Sequence, residues 1–293
     1  MKSGSTGVIG VGNMGLAMAG RLREHGRPVF VRDIRADREA MAEHDGARAC
    51  ATPALVARQC EVIVVAVVDA AQTDAVLFGS DGIAAGAASG TCIVLCPTIA
   101  PESVESFAVR LDALSIDWID APMSGGPARA RAGTMSLMVA CRDEVFARHA
   151  SLLASLADPV FRLGERAGDG ARTKLVNNLL AAINLVGAAE VLALAERVGL
   201  DPARTLAVVE RSSGQSWIGG DRMARALAGD MAPRAHTTLL AKDSGLAVAM
   251  AAASGVAPKL GALAAQAFAT AVAQGRGELD DSCLLDLLRA QKL

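Results

Sequence analysis

Lys174 and Asn178 stand four residues apart in the run Gly170-Ala171-Arg172-Thr173-Lys174-Leu175-Val176-Asn177-Asn178. On a helix that spacing puts both on one face, a turn from each other. The neighbours Leu175, Val176, Leu179 and Leu180 are apolar, which predicts a helix packed on several sides and a lysine partly withdrawn from water. Desolvation disfavours the charged ammonium, and a neutral amine can take the proton of an alcohol while hydride leaves the same carbon. A plain solvated lysine is the competing reading of these residues. A second stretch, Leu239-Leu240-Ala241-Lys242-Asp243, opens another helix, and by itself its Lys-Asp pair reads as a solvated face.

Gly10-Val11-Gly12-Asn13-Met14-Gly15 is a GxGxxG, weak alone in a chain with 29 glycines. Its context strengthens it: a strand before, a helix over Leu16 to Arg23 after, and a second strand ending at Asp33, about 20 residues on. Such glycines permit a tight turn and close approach of backbone to a pyrophosphate at a helix N-terminus, while the acid accepts from the adenosine ribose. A carboxylate there repels a 2′-phosphate, so Asp33 favours NAD over NADP, with Arg32 and Arg35 placed to soften the repulsion. A third stretch, DAPMSGGPARARAG from Asp120 to Gly133, spends a serine and two glycines, Ser124, Gly125 and Gly126, directly after a strand-like run.

The elements that must position these residues come in two kinds. Short β-branched runs at Gly7–Gly10, Val29–Val31, Val62–Val67, Cys92–Leu95, Trp118–Ile119 and Met135–Val139 alternate with helical stretches, the pattern of βαβ units in a doubly wound parallel sheet. After Phe161 the strand signal stops. A long apolar-periodic stretch follows from Thr173 to Val198, closed by Gly199, with Asp201 and Pro202 as cap and first-turn proline of the next helix. Further helices are expected at Pro202–Arg211, Thr238–Ala253, Lys259–Gln274 and Ser282–Ala290. The expected fold class is α/β, a Rossmann domain over residues 1–165 followed by an all-helical domain over 166–293, joined near Arg162 to Gly170.

Composition removes several alternatives. A net charge of -2 and 3% aromatic residues leave neither the basic surface nor the stacking faces that nucleic acid requires. Lys2 is followed by Ser, Gly, Ser and Thr rather than an apolar core, which argues against a secretory leader. The apolar region Ser244 to Gly275 is broken by Ser254, Pro258, Lys259 and Gln266, short of the ~20 residues of a membrane span. A cytoplasmic protein is expected. The six cysteines are scattered, mostly within or beside apolar runs, and read as reduced thiols; with four histidines and neither HExxH nor CxxC, no metal is expected. Tyrosine is absent, which excludes reductases that protonate a carbonyl with a Tyr hydroxyl.

Taken in order, GxGxxG, Asp-x-Pro-x-Ser-Gly-Gly, Gly-x-x-x-Lys-x-x-Asn-Asn and Lys-Asp, the chain resembles the β-hydroxyacid dehydrogenase family, which includes 3-hydroxyisobutyrate dehydrogenase and tartronate semialdehyde reductase. The resemblance covers essentially the whole chain. It implies Lys174 as general acid/base, Asn178 as a residue that helps hold substrate, and Ser124, Gly125 and Gly126 as the cradle of the substrate carboxylate. It places Thr98 and Lys242 against the nicotinamide end of the cofactor, with Gly10, Gly12, Asn13, Met14, Gly15 and Asp33 at the rest of the dinucleotide. The spare glycines then have a reason, because bare backbone N–H groups beside a serine hydroxyl can form a concave anion nest. Arg129 and Arg131 read as facing solvent.

Val76-Leu77-Phe78-Gly79, Ser213-Gly214-Gln215-Ser216-Trp217 and Asp280-Asp281-Ser282 look most like the L-threonate dehydrogenase branch, which oxidises four-carbon sugar acids at carbon 2; Trp217 would then wall the substrate pocket. The resemblance also implies a homodimer or homotetramer paired through the second domains. Two departures touch the substrate end: Pro97 where the wider family often has Ser, and His236 where an aromatic often precedes the Lys-Asp pair. The expected function is NAD-dependent oxidation of a small hydroxy acid. The alternatives are an NAD(P)H-dependent reductase of small aldehyde acids and a nucleotide-binding scaffold without catalysis.

Overall fold

The computed structural model describes residues 4–290; Lys2, used above to argue against a secretory leader, lies outside them. The chain divides into two compact units, one ending at Lys174 and the other beginning at Leu175.

The first unit is built on a nine-stranded sheet. Its strands are β1 (Thr6–Ile9), β2 (Val29–Arg32), β3 (Arg48–Ala49), β4 (Val62–Val65), β5 (Cys92–Leu95), β6 (Asp117–Asp120), β7 (Met123–Ser124), β8 (Met135–Ala140) and β9 (Ala157–Gly164). The order β3-β2-β1-β4-β5-β6 is parallel throughout, and β8 then joins β6 antiparallel, with β7 and β9 paired to β8. Register explains the β-branched runs: Val31, Val8, Val64, Val94 and Ile119 fall opposite one another across five strands, all fully buried. A parallel sheet covered on both faces needs such continuous apolar strands. The order reverses between β1 and β4, and in doubly wound sheets ligands bind beyond the carboxyl ends of strands at such a switch point.

Two corrections to the sequence reading concern the long helix. It spans Asp169–Arg197, beginning four residues earlier than the apolar periodicity suggests. It therefore starts inside the first unit, where Ala171 joins the core of the sheet domain. Among the described residues this helix, rather than the Ser244–Gly275 region, is the one long and apolar enough to cross a membrane by length and composition. Its Ala182, Leu185, Ala189 and Leu192 are, however, part of the core of the second unit.

The second unit is helical. Its further helices are Pro202–Val209, Trp217–Leu227, Thr237–Ala253, Lys259–Ala271 and Leu284–Arg289. Asp201 caps the first of them through Arg204 N, with Pro202 in the first turn. All six cysteines are free.

Candidate active site

The glycines of the first motif divide three tasks between them. Gly10, just past β1, has φ +87°, and a Cβ there would lie 2.7 Å from Ala66 O. Gly15 packs the helix Asn13–Glu24 so tightly on the strand that a Cβ would lie 1.9 Å from Gly10 O. A Cβ at Gly12 would meet nothing within 4 Å, which leaves that backbone open to an approaching ligand. Tight turn, open approach and helix-to-strand contact are the requirements for a pyrophosphate at a helix N-terminus, so this loop fits a dinucleotide.

Asp33 follows β2 and reaches back to the loop, its Oδ2 accepting from Val11 N at 2.7 Å and its Oδ1 from Arg35 N at 2.9 Å. The flanking arginines are committed elsewhere. Arg32 pairs with Glu39 at 2.9 Å and Arg35 with Asp37 at 2.6 Å, rather than with Asp33. Asn13 accepts at 2.7 Å from Arg38. Asp33→Asn keeps an acceptor for Val11 while removing the charge, and should shift the NAD to NADP ratio of kcat/KM about tenfold towards NADP. Initial rates with each dinucleotide check this, and an unchanged ratio would remove Asp33 from the discrimination.

Two more predicted groups lie past the carboxyl ends of strands. Thr98 is half-buried after β5, beyond buried Cys96 and Pro97. Burial pushes the Cys96 thiol up to about 12, so it stays protonated and unreactive at neutral pH. Past β6, Ser124 closes β7, and Gly125 and Gly126 follow at φ +126° and φ +76°. A Cβ on Gly126 would meet nothing within 4 Å, so conformation, rather than crowding, requires glycine there. Arg129 is exposed and donates to Thr134 O at 2.9 Å, and Arg131 pairs with Glu24 at 2.9 Å.

Lys174 is 7% exposed and Asn178 8%. The burial does not arise as the sequence suggests, because Val176 and Leu180 are themselves exposed. Asn178 Nδ2 donates to Asp243 Oδ2 at 2.6 Å, and Lys242 Nζ donates to Asp243 Oδ1 at 2.7 Å. Asp243 thus joins two of the predicted residues across the helices Asp169–Arg197 and Thr237–Ala253. Sequence reasoning assigned it no role. The signal was its place beside Lys242 in a largely apolar helix, where a buried carboxylate needs partners of its own.

Trp217 begins the helix Trp217–Leu227 behind its Ser216 cap; it is 57% exposed, with the Arg222 guanidinium 6.0 Å from its ring centroid. His236 sits at the N-cap of Thr237–Ala253, its Nδ1 2.8 Å from Glu278 O. In the first unit, then, the GxGxxG loop and Asp33 are joined directly; in the second, Asn178, Lys242 and Asp243 are.

Two family models match successive parts of the chain. Residues 5–164 match the family described as the NAD binding domain of 6-phosphogluconate dehydrogenase, and residues 168–288 that described as NAD-binding of NADP-dependent 3-hydroxyisobutyrate dehydrogenase. The chain is 36% identical to an L-threonate dehydrogenase of Cupriavidus necator over 97% of its own length and 96% of the relative's. It is 32% identical to the L-threonate dehydrogenase of Escherichia coli K12, over 98% and 96% respectively. A crystal structure of 3-hydroxyisobutyrate dehydrogenase from Salmonella typhimurium superposes with a TM-score of 0.90 at 31% identity, covering 97% of this chain and 99% of that one.

Proposed function

Since the chain belongs to the β-hydroxyacid dehydrogenase family, an NAD-binding group of oxidoreductases acting on CH–OH donors, we propose that it oxidises a four-carbon sugar acid such as L-threonate at carbon 2. When bound, NAD supplies the two-electron acceptor. The open backbone at Gly12, the helix N-terminus behind it, Asn13, Met14 and Asp33 hold the dinucleotide, with Thr98 and Lys242 towards its nicotinamide end. Ser124, Gly125 and Gly126 take the substrate carboxylate on their hydroxyl and amides. Lys174 Nζ accepts the hydroxyl proton, and Asn178, held by Asp243, positions the substrate one helical turn away. Trp217 contributes to the wall around the acid.

The observation that carries the reaction is the buried lysine one turn from a buried amide, on a helix that starts in a dinucleotide-binding domain. Similarity to L-threonate dehydrogenases over nearly the full chain carries the substrate. The same reading places the protein in the cytoplasm as a homodimer or homotetramer, with the unit that ends at Lys174 for the dinucleotide and the one that begins at Leu175 for substrate and assembly. A panel of threonate, erythronate and three-carbon hydroxy acids scored for NAD reduction tests it, and L-threonate should give the highest kcat/KM. Faster NADH or NADPH oxidation with small aldehyde acids would replace the proposal with the reductase reading.

A further inference from the structure

Asp120 ends β6 and is 1% exposed, a buried carboxyl with no part in the reaction described above. Its hydrogen-bond partner is the backbone N–H of Ala171, which donates to Asp120 Oδ2 at 3.2 Å. The first amides of an α-helix have no acceptor within the helix and must find one elsewhere. Here a strand distant in sequence supplies it to Asp169–Arg197. The approach is close: a Cβ on Gly170 would lie 2.8 Å from Asp120 Cγ and Oδ1 and 2.7 Å from Met138 O.

The same turn is held on other sides. Ala171 is fully buried in the core of the first unit. Arg172 pairs with Glu105 of the helix Pro101–Asp112 and, at 3.1 Å, with Asp169. Lys174 follows Ala171 by three residues, so any shift or rotation of the first turn is passed on to its amine.

We propose that Asp120 is a positioning residue for Lys174: accepting from the amide of Ala171 and packed closely against Gly170, its carboxyl fixes where the long helix begins and hence where the Lys174 amine is held. The proposal rests on the reading of Lys174 as proton acceptor. Burial pushes the Asp120 carboxyl up to about 7, against the opposing pull of its backbone hydrogen bonds. A group retained at that desolvation cost is there for its hydrogen bonds.

The test compares Asp120→Asn, Gly170→Ala, Lys174→Ala and the Asp120→Asn/Lys174→Ala pair, assayed above neutral pH so that the wild-type carboxyl is ionised. Asn keeps one oxygen for the Ala171 N–H but must set its NH2 group against the closely approaching Gly170 backbone, and a displaced amine should lower kcat about 30- to 100-fold. Gly170→Ala, which pushes the same contact apart from the helix side, should give the same pattern if Asp120→Asn folds poorly. Dinucleotide affinity, read by NADH fluorescence, should stay within about threefold, so that the loss is in kcat rather than binding. Hydrogen exchange at residues 169–172 should quicken. On the Lys174→Ala background the Asp120 change should cost less than about twofold more, since both act through one amine.

Turnover of Asp120→Asn and Gly170→Ala within about threefold of wild type, or losses at Asp120 and Lys174 that simply multiply, would overturn the proposal and leave the lysine reading intact. Full turnover in Lys174→Ala would instead overturn the lysine reading and the proposal with it, whatever the exchange at residues 169–172 shows.

Discussion

Lys174→Ala should lower kcat by about 10³-fold, within the range expected for loss of a general acid/base, while NAD affinity and the melting temperature remain close to wild type. The Lys174 side chain is buried, yet its helix is anchored independently through Asp120, Ala171 and Arg172, so removing the amine need not disturb the fold. In the proposed site dinucleotide binding depends on the GxGxxG loop and Asp33, which hold each other through Val11 N. Steady-state kinetics with the preferred acid and fluorescence titration with NADH separate the two effects. A variant that turns over within about tenfold of wild type would end the assignment, because a proton acceptor in the transition state is worth more than that.

The first motif gives a second large effect, and a contrast within it. Gly15→Ala forces a methyl to 1.9 Å from Gly10 O, an overlap that only movement of the helix Asn13–Glu24 can relieve. It should cost ~3 kcal/mol or more, a fall in Tm of about 6 °C or more for a domain of this size. Gly12→Ala should behave oppositely. Its φ is -61°, which alanine adopts freely, and the added Cβ meets nothing of the protein. The melting curve should therefore hardly move, while the methyl intrudes where the pyrophosphate approaches and raises the dissociation constant for NAD about 100-fold, or ~3 kcal/mol. Calorimetry and NADH titration on both variants check the pair. Equal loss of stability in the two would show that Gly12 serves the fold instead of the ligand.

The central strands were legible in the sequence because a sheet buried on both faces needs unbroken β-branched runs. Cys92–Leu95 matches its expected bounds, and the strands around it agree to within a residue or two. What escaped has identifiable causes. Arg48–Ala49 and Met123–Ser124 are two residues each, too short for any period. Ala157–Gly164 contains a proline and lies at the margin of the sheet with alternate residues exposed, so it lacks the apolar run of the others. The helix Trp217–Leu227 contains Gly219 and Gly220, poor helix formers that hide it. Their place is explained by packing: a Cβ on Gly219 would lie 3.0 Å from Ala188 Cβ, and one on Gly220 2.0 Å from Glu210 Oε2.

The site divides in the same way. The GxGxxG loop was readable because the turn at Gly10 and the close approach at Gly15 restrict those positions to glycine, and Asp33 because it stands at a fixed spacing after the second strand. Asp243 and Asp120 were not assigned, since each acts through a partner far away in sequence, Asn178 for the one and Ala171 for the other. The start of the long helix was missed for that reason too: its first-turn acceptor comes from a strand, and no local cap marks it.

In the proposed site, the backbone of Gly125 and Gly126 bears on how so small a substrate would be held at all. A four-carbon acid has little surface to bury, and it could scarcely offset the entropy of arranging a disordered loop around its charge. Two adjacent residues already set at angles that L side chains shun move that ordering into the synthesis and folding of the protein. On that proposal the acid would arrive at a mould, its modest binding energy left for choosing between one short sugar acid and the next.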